Sequence, residues 1–137
     1  TDIVSIHYES PYQVQRALDW LEPFGCKRFL AISPATPVNV LEEVLDYIDG
    51  INLLMVNPGF AGQHMVLSTL RKAAKVQSLL EREHREEILM EVDGNITPEH
   101  GKTLRSLGAS LFVGGTIFKG DLSQYRENIR LFRESIV

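Results

Sequence analysis

Short β-branched, apolar runs alternate with longer amphipathic stretches along this chain, which is the rhythm of βα units built around a parallel sheet. Five such units are expected. The first joins a strand at Ile3–His7 to a helix from about Ser10 to Leu21, with Pro11 in its opening turn, Val14, Ala17, Leu18 and Leu21 on one face, and Gly25 ending it. The second has a strand at Arg28–Ile32 and a helix capped by Thr36 that starts on Pro37. That helix turns Val40, Leu41, Val44, Leu45 and Ile48 inward and closes at Asp49-Gly50. A third strand, Asn52–Val56, runs through the loop Asn57–Gln63 into a long helix reaching about Glu83. The fourth, Ile88–Val92, ends in Asp93-Gly94-Asn95, after which Thr97 and Pro98 open a helix through Leu107 that Gly108 stops. Strand five, Ser110–Val113, delivers Gly114-Gly115-Thr116 and a last helix from Leu122 to Ile136. No linker or low-complexity tract interrupts this order, so residues 1–137 are expected to form a single domain.

Composition narrows the class. Hydrophobic residues at 44% and charged residues at 23% describe a globular chain with a core, and no apolar run is long enough to span a membrane. A net charge of -4, with the 14 Lys and Arg spread along the sequence, gives no reason to expect a nucleic-acid or membrane partner, so any anion recognition must be local. Cys26 is the only cysteine, which excludes an internal disulfide and makes a reducing, cytoplasmic setting the expectation. No signal peptide is recognisable ahead of the first strand. The 137 residues fall short of the roughly 200 or more usual for a closed eight-unit barrel, and the abrupt start suggests a truncated chain.

Five βα units fit either an open doubly wound sheet or an arc of a barrel, and periodicity does not separate the two. The strand ends favour the barrel. Each strand runs out into polar or glycine-bearing residues: His7 with Glu9, Ser33-Pro34, Asn57-Pro58-Gly59, Asp93-Gly94 and Gly114-Gly115-Thr116. Two of these loops suit phosphate, because glycine lets an anion approach backbone N–H groups and Thr116 adds a hydroxyl. If the chain begins at strand four, they are the strand-seven and strand-eight loops, the usual phosphate site of such barrels.

The segment Asn57-Pro58-Gly59-Phe60-Ala61-Gly62-Gln63 resembles the strand-six signature of the ribulose-phosphate 3-epimerase family, with Ala61 where that family has glycine. Four more segments follow in the family's order: Val4-Ser5-Ile6-His7-Tyr8-Glu9, Ser33-Pro34-Ala35-Thr36-Pro37, Glu91-Val92-Asp93-Gly94 and Phe112-Val113-Gly114-Gly115-Thr116-Ile117-Phe118. The resemblance implies an α/β fold of the TIM type, here a partial (β/α) barrel corresponding to strands 4 to 8. It also implies an isomerase that epimerises C3 of a pentulose or hexulose phosphate through an ene-diolate, assisted by a divalent metal ion, zinc foremost. Asp93 matches one of the family's two catalytic aspartates, which is also a metal ligand. Gly59, Phe60, Ala61, Gly62, Gly94, Asn95, Gly115 and Thr116 match its substrate and phosphate contacts.

Departures accompany the matches. The family's second aspartate, its two metal-binding histidines and a substrate-contacting serine lie on its first three strands, which this sequence does not include. The metal site is therefore expected to be incomplete here and the chain alone inactive. Asn95 stands for a glycine, a substitution eased by the tolerance of Asn for left-handed backbone, and Met55 lies one residue nearer the Asn-Pro than in the family, which turns Leu54 to the interior. His7 is expected to hydrogen-bond in the core or the cleft rather than bind metal. A non-catalytic sugar-phosphate-binding or assembly module and a metal-free decarboxylase-type barrel remain alternatives. Because an arc leaves two unpaired strand edges, association with another copy or with a missing N-terminal part is also expected.

Overall fold

A computed structural model describes residues 2–137, except for the side chain of Thr116. Five strands, β1 (Ile3–His7), β2 (Lys27–Ile32), β3 (Gly50–Leu54), β4 (Leu89–Asp93) and β5 (Ala109–Val113), form one sheet in the order β1-β2-β3-β4-β5, every pair parallel. Neighbours in sequence are neighbours in the sheet throughout. A doubly wound sheet reverses strand order at a switch point, so this unbroken order makes the sheet an arc of a (β/α) barrel. Four α-helices accompany it among the described residues: α1 (Val14–Asp19), α2 (Ser68–Arg82), α3 (Pro98–Ser106) and α4 (Leu122–Ser135).

Strand register sorts the side chains into two faces. Leu30, Ile51, Met90 and Ala109 form one row, and Ile32, Leu53, Val92 and Phe112 the next; these pack outward into the core with Leu41, Val44, Ala73, Val76 and Leu104 from the surrounding helical segments. The opposite, concave face carries Ser5, His7, Phe29, Ala31, Asn52, Leu54, Glu91, Asp93, Leu111 and Val113. Leu54 is paired with Asp93 on that face while Met55 is fully buried in the core, the orientation expected from alternation. Gly50 gives the fold a close contact there, since a Cβ at this position would lie 2.2 Å from Cζ of the fully buried Phe29.

Three elements differ from the sequence expectation. The first helix occupies only Val14–Asp19, because Tyr8 and Glu9 form a turn, residues 10–13 are bends or irregular, and a separate 3₁₀ turn, Glu22–Phe24, follows. Residues 38–47 form a run of 3₁₀ turns instead of an α-helix, and Thr36 does not cap it. The spacing of Val38, Leu41, Val44 and Tyr47 at every third residue suits three residues per turn, and the Thr36 hydroxyl is committed to Glu9. The third strand starts two residues early at Gly50 and ends at Leu54, so Gly50 begins a strand as well as ending a helical run. By contrast, the Thr97 cap and Pro98 start are present, with the Thr97 hydroxyl accepting the His100 amide at 3.3 Å.

Candidate functional site

All five strands deliver their C-terminal ends to the same rim of the arc, so the loops after β1, β2, β3, β4 and β5 share one mouth. Asp93 stands at the end of β4, paired with Leu54 on one side and Val113 on the other, half-buried on the concave face. Burial pushes its carboxyl above the usual aspartate range, and the charge of His7 across the arc opposes that rise. Glu91, two residues earlier on the same face, is also pushed upward, by burial first and then by the Asp93 charge. In Asn52, which is in the same register row as His7 and Glu91, Oδ1 is buried without a hydrogen-bond partner. Polar chemistry therefore runs across the concave face from β1 to β4.

Carboxyls raised in the folded state are more stable neutral, so their favourable contribution is complete below the ordinary carboxylate range and is lost as pH rises through the raised values. Glu91→Gln, which cannot ionise, is expected to raise the melting temperature near about pH 7 and to leave it nearly unchanged near about pH 4. Thermal melts at both pH values test this; equal shifts at the two would contradict it.

The loop between β3 and α2 is closed on itself. Gln63 donates through Nε2 to the carbonyls of Asn57 (2.6 Å) and Phe60 (2.9 Å), and the Val66 amide donates to the Met55 carbonyl at 2.7 Å. Gly59, Phe60, Ala61 and Gly62 are all left exposed, Phe60 at 74%, so this loop presents an apolar ring and open backbone at the rim. On the neighbouring strands the pairing of Asp93 with Val113 sets Gly94-Asn95 beside Gly114-Gly115. Asn95 has φ 49, the left-handed geometry expected of a residue replacing glycine. Gly115 is exposed with open space around its Cα, whereas the Thr116 side chain lies outside the described residues. Asn128 of α4 holds the 3₁₀ turn after β5, donating to the carbonyls of Ile117 (2.9 Å) and Lys119 (3.1 Å).

A clamp that the sequence did not reveal fixes the loop after β2. Glu9 accepts from the Ser33 amide at 3.2 Å and from the Thr36 hydroxyl, while the buried Lys72 ammonium donates to the carbonyls of Ser33 (2.6 Å), Pro34 (2.7 Å) and Thr36 (2.6 Å). Burial pushes the Glu9 carboxyl upward, but the hydrogen bonds it accepts from Thr36 and Ser33 outweigh that and hold it below the ordinary glutamate range. Lys72→Met leaves three carbonyls unpaired and is expected to cost about 2–4 kcal/mol of stability, measurable by urea unfolding. A loss within about 0.5 kcal/mol, the range of ordinary surface changes, would refute the clamp.

Among the described residues no three His, Cys, Asp or Glu side chains converge closely enough to hold an ion. Asp93 offers one carboxylate, so these residues do not by themselves form such a centre. Among the described residues, too, no helix is long and apolar enough to cross a membrane.

A parallel barrel arc with a raised carboxyl and glycine loops at its C-terminal rim defines the class of (β/α) barrel enzymes that act at their strand ends. The comparisons make this specific. The model of the ribulose-phosphate 3 epimerase family matches residues 1–118, and the chain belongs to that family. It is 39% identical over 133 residues to the ribulose-phosphate 3-epimerase of Buchnera aphidicola subsp. Baizongia pistaciae, covering 97% of this chain and 58% of that protein. It is 36% identical over 135 residues to the Escherichia coli K12 enzyme of the same name, covering 98% and 59%, and 34% identical over 119 residues to that of Bacillus subtilis, covering 87% and 55%. The chain thus spans under three-fifths of the length of these relatives. Among solved structures, a mutant flavocytochrome b2 with benzoylformate superposes with a TM-score of 0.64 at 17% identity, over 92% of this chain and 33% of that one, a likeness of fold alone.

Proposed function

We propose that this chain provides the C-terminal half of a ribulose-phosphate 3-epimerase active site, with Asp93 as one of two acid–base groups. The observation that carries this reading is Asp93 itself: a half-buried carboxyl with raised proton affinity, at a barrel strand end beside two glycine-bearing loops. Proton affinity matters because a carbon acid next to a carbonyl is weak, and a base whose pKa sits above the usual aspartate range meets it with a smaller mismatch. Asp93 takes the C3 proton of a bound ketose phosphate. The C3–H electron pair becomes the C2–C3 double bond of the ene-diolate, and charge moves onto the C2 oxygen. An acid on the opposite face then returns a proton to C3, inverting it. A second acid–base group and, if a divalent ion is bound, further ligands to stand with Asp93 would come from beyond the described residues, so this chain alone is not expected to turn over.

In the same reading the backbone of Gly94-Asn95 and Gly115-Thr116 takes the phosphate, and Gly59–Gly62 with the Phe60 ring covers the sugar. The unpaired edges of β1 and β5 receive the rest of the barrel or a second copy. The test is conversion of ribulose 5-phosphate to its C3 epimer by the full-length protein, with and without added divalent metal. Binding of the sugar phosphate with no epimer formed under any metal condition would leave a binding module and sink the enzyme reading.

A further inference from the structure

A cleft beside α2 is lined by three basic side chains. This cleft, of about 510 Å³, lies between the loop after β2 and the first half of α2, lined by Thr36, Asn39, Ser68, Arg71, Lys72 and Lys75 together with apolar residues of the loop. No Asp or Glu is among the described residues lining it. Lys72 is 91% buried, at 9% exposure, and spends its donors on the three loop carbonyls, with Glu9 as its nearest counter-charge. Arg71 and Lys75 have no such partner: both are exposed, and among the described residues neither enters an ion pair.

Nothing in helix energetics favours this arrangement. Arg71 and Lys75 are four residues apart, where like charges repel, and Arg71 closes the first turn of α2, where the helix dipole disfavours a cation. The first turn carries no acidic residue to offset them. Lys72 registers the crowding, since burial and the charge of Lys75 both lower its proton affinity, opposed by Glu9. Arg82 pairs with Glu42 at 2.9 Å and Arg130 with Glu127 and Glu134 at 2.6 Å each, whereas Arg16, Arg105, Arg126 and Arg133 are, like Arg71, exposed and outside the ion pairs of the described residues. Local charge left unbalanced at a preformed cleft, in a chain of net charge -4, calls for a bound anion.

We propose that this cleft, bounded by the loop after β2 and the first half of α2, is a second anion site, distinct from the glycine loops after β4 and β5, that takes a small phosphoryl-bearing ligand. Arg71 and Lys75 supply the charge, the hydroxyls of Ser68 and Thr36 and the Asn39 amide line the walls, and the Glu9–Lys72 clamp keeps the loop wall preformed. A bounded cleft with two free cations suits one or two phosphoryl groups better than a long polyanion. Inorganic pyrophosphate is the probe, titrated into the full-length protein and followed by amide NMR shifts and calorimetry. Saturable shifts at Asn39, Ser68 and Arg71 are expected, with affinity falling about tenfold or more in the double variant Arg71→Gln/Lys75→Gln and weakening with added salt. Both substitutions are on exposed residues and remove a repulsion, so the double variant should melt no lower than the parent, and Lys75→Arg should keep binding. Shifts confined to residues 93–116, or equal affinity in the double variant, would overturn the site.

Discussion

Asp93→Asn in the full-length protein is expected to lower the rate of C3 epimerisation by about a hundredfold to ten-thousandfold, the range over which a positioned acid–base group contributes. The change is nearly isosteric and spares the structural role of the residue, because its backbone carbonyl, not its side chain, accepts the Met55 amide at 2.6 Å. It also removes a charge that raises the proton affinity of Glu91, so the fold should hold or gain stability near neutral pH. The amide cannot take the C3 proton. The drop should fall on kcat while sugar-phosphate affinity changes little, since phosphate contacts come from the glycine loops. A variant with unchanged kcat would remove Asp93 from the chemistry.

Gly94→Ala is expected to be the most destabilising single methyl addition at the site, costing about 2–6 kcal/mol. Two effects combine. Gly94 has φ 125, a backbone region that a Cβ strains by about 1–3 kcal/mol. The added Cβ would also lie 2.9 Å from Cγ2 of Val56 and 3.0 Å from its backbone nitrogen, and overpacking against backbone that cannot move aside costs a further ~1–3 kcal/mol. The contact exists because the ends of β3 and β4 approach closely where the Met55 amide reaches the Asp93 carbonyl. Urea unfolding of the variant measures the cost directly. A loss below about 1 kcal/mol would mean the strand ends can separate freely, and that the acid–base and phosphate loops are not held in fixed relation.

The arc was legible because short β-branched, apolar runs alternate with longer amphipathic stretches, and the Gly and Pro punctuation fell between them. Boundaries were less legible. Gly50 reads as a helix stop in sequence but begins β3, since only the ring of Phe29, 21 residues earlier, makes a glycine necessary there. Thr36 reads as a cap, yet its hydroxyl is captured by Glu9, 27 residues away. The alternatives left by periodicity, open sheet or barrel, were separated by strand order, a property no local pattern encodes. At the site, the Asp-Gly and Gly-Gly loops were visible as residue types out of keeping with a strand. The Glu9–Lys72 clamp was not, because its partners are 36 to 39 residues apart and Lys72 sits in an ordinary helical pattern. Asn52 and Glu91 are polar residues within otherwise apolar strands, but their place on the concave face with His7 depends on register across four strands.

The most direct test of the proposed chemistry is isotope exchange at the substrate carbon. Ribulose 5-phosphate incubated with the full-length protein in D₂O should acquire deuterium at C3 during turnover, with loss of that exchange in Asp93→Asn. Epimer formed without deuterium at C3, or exchange that persists undiminished in the variant, would contradict proton transfer by Asp93.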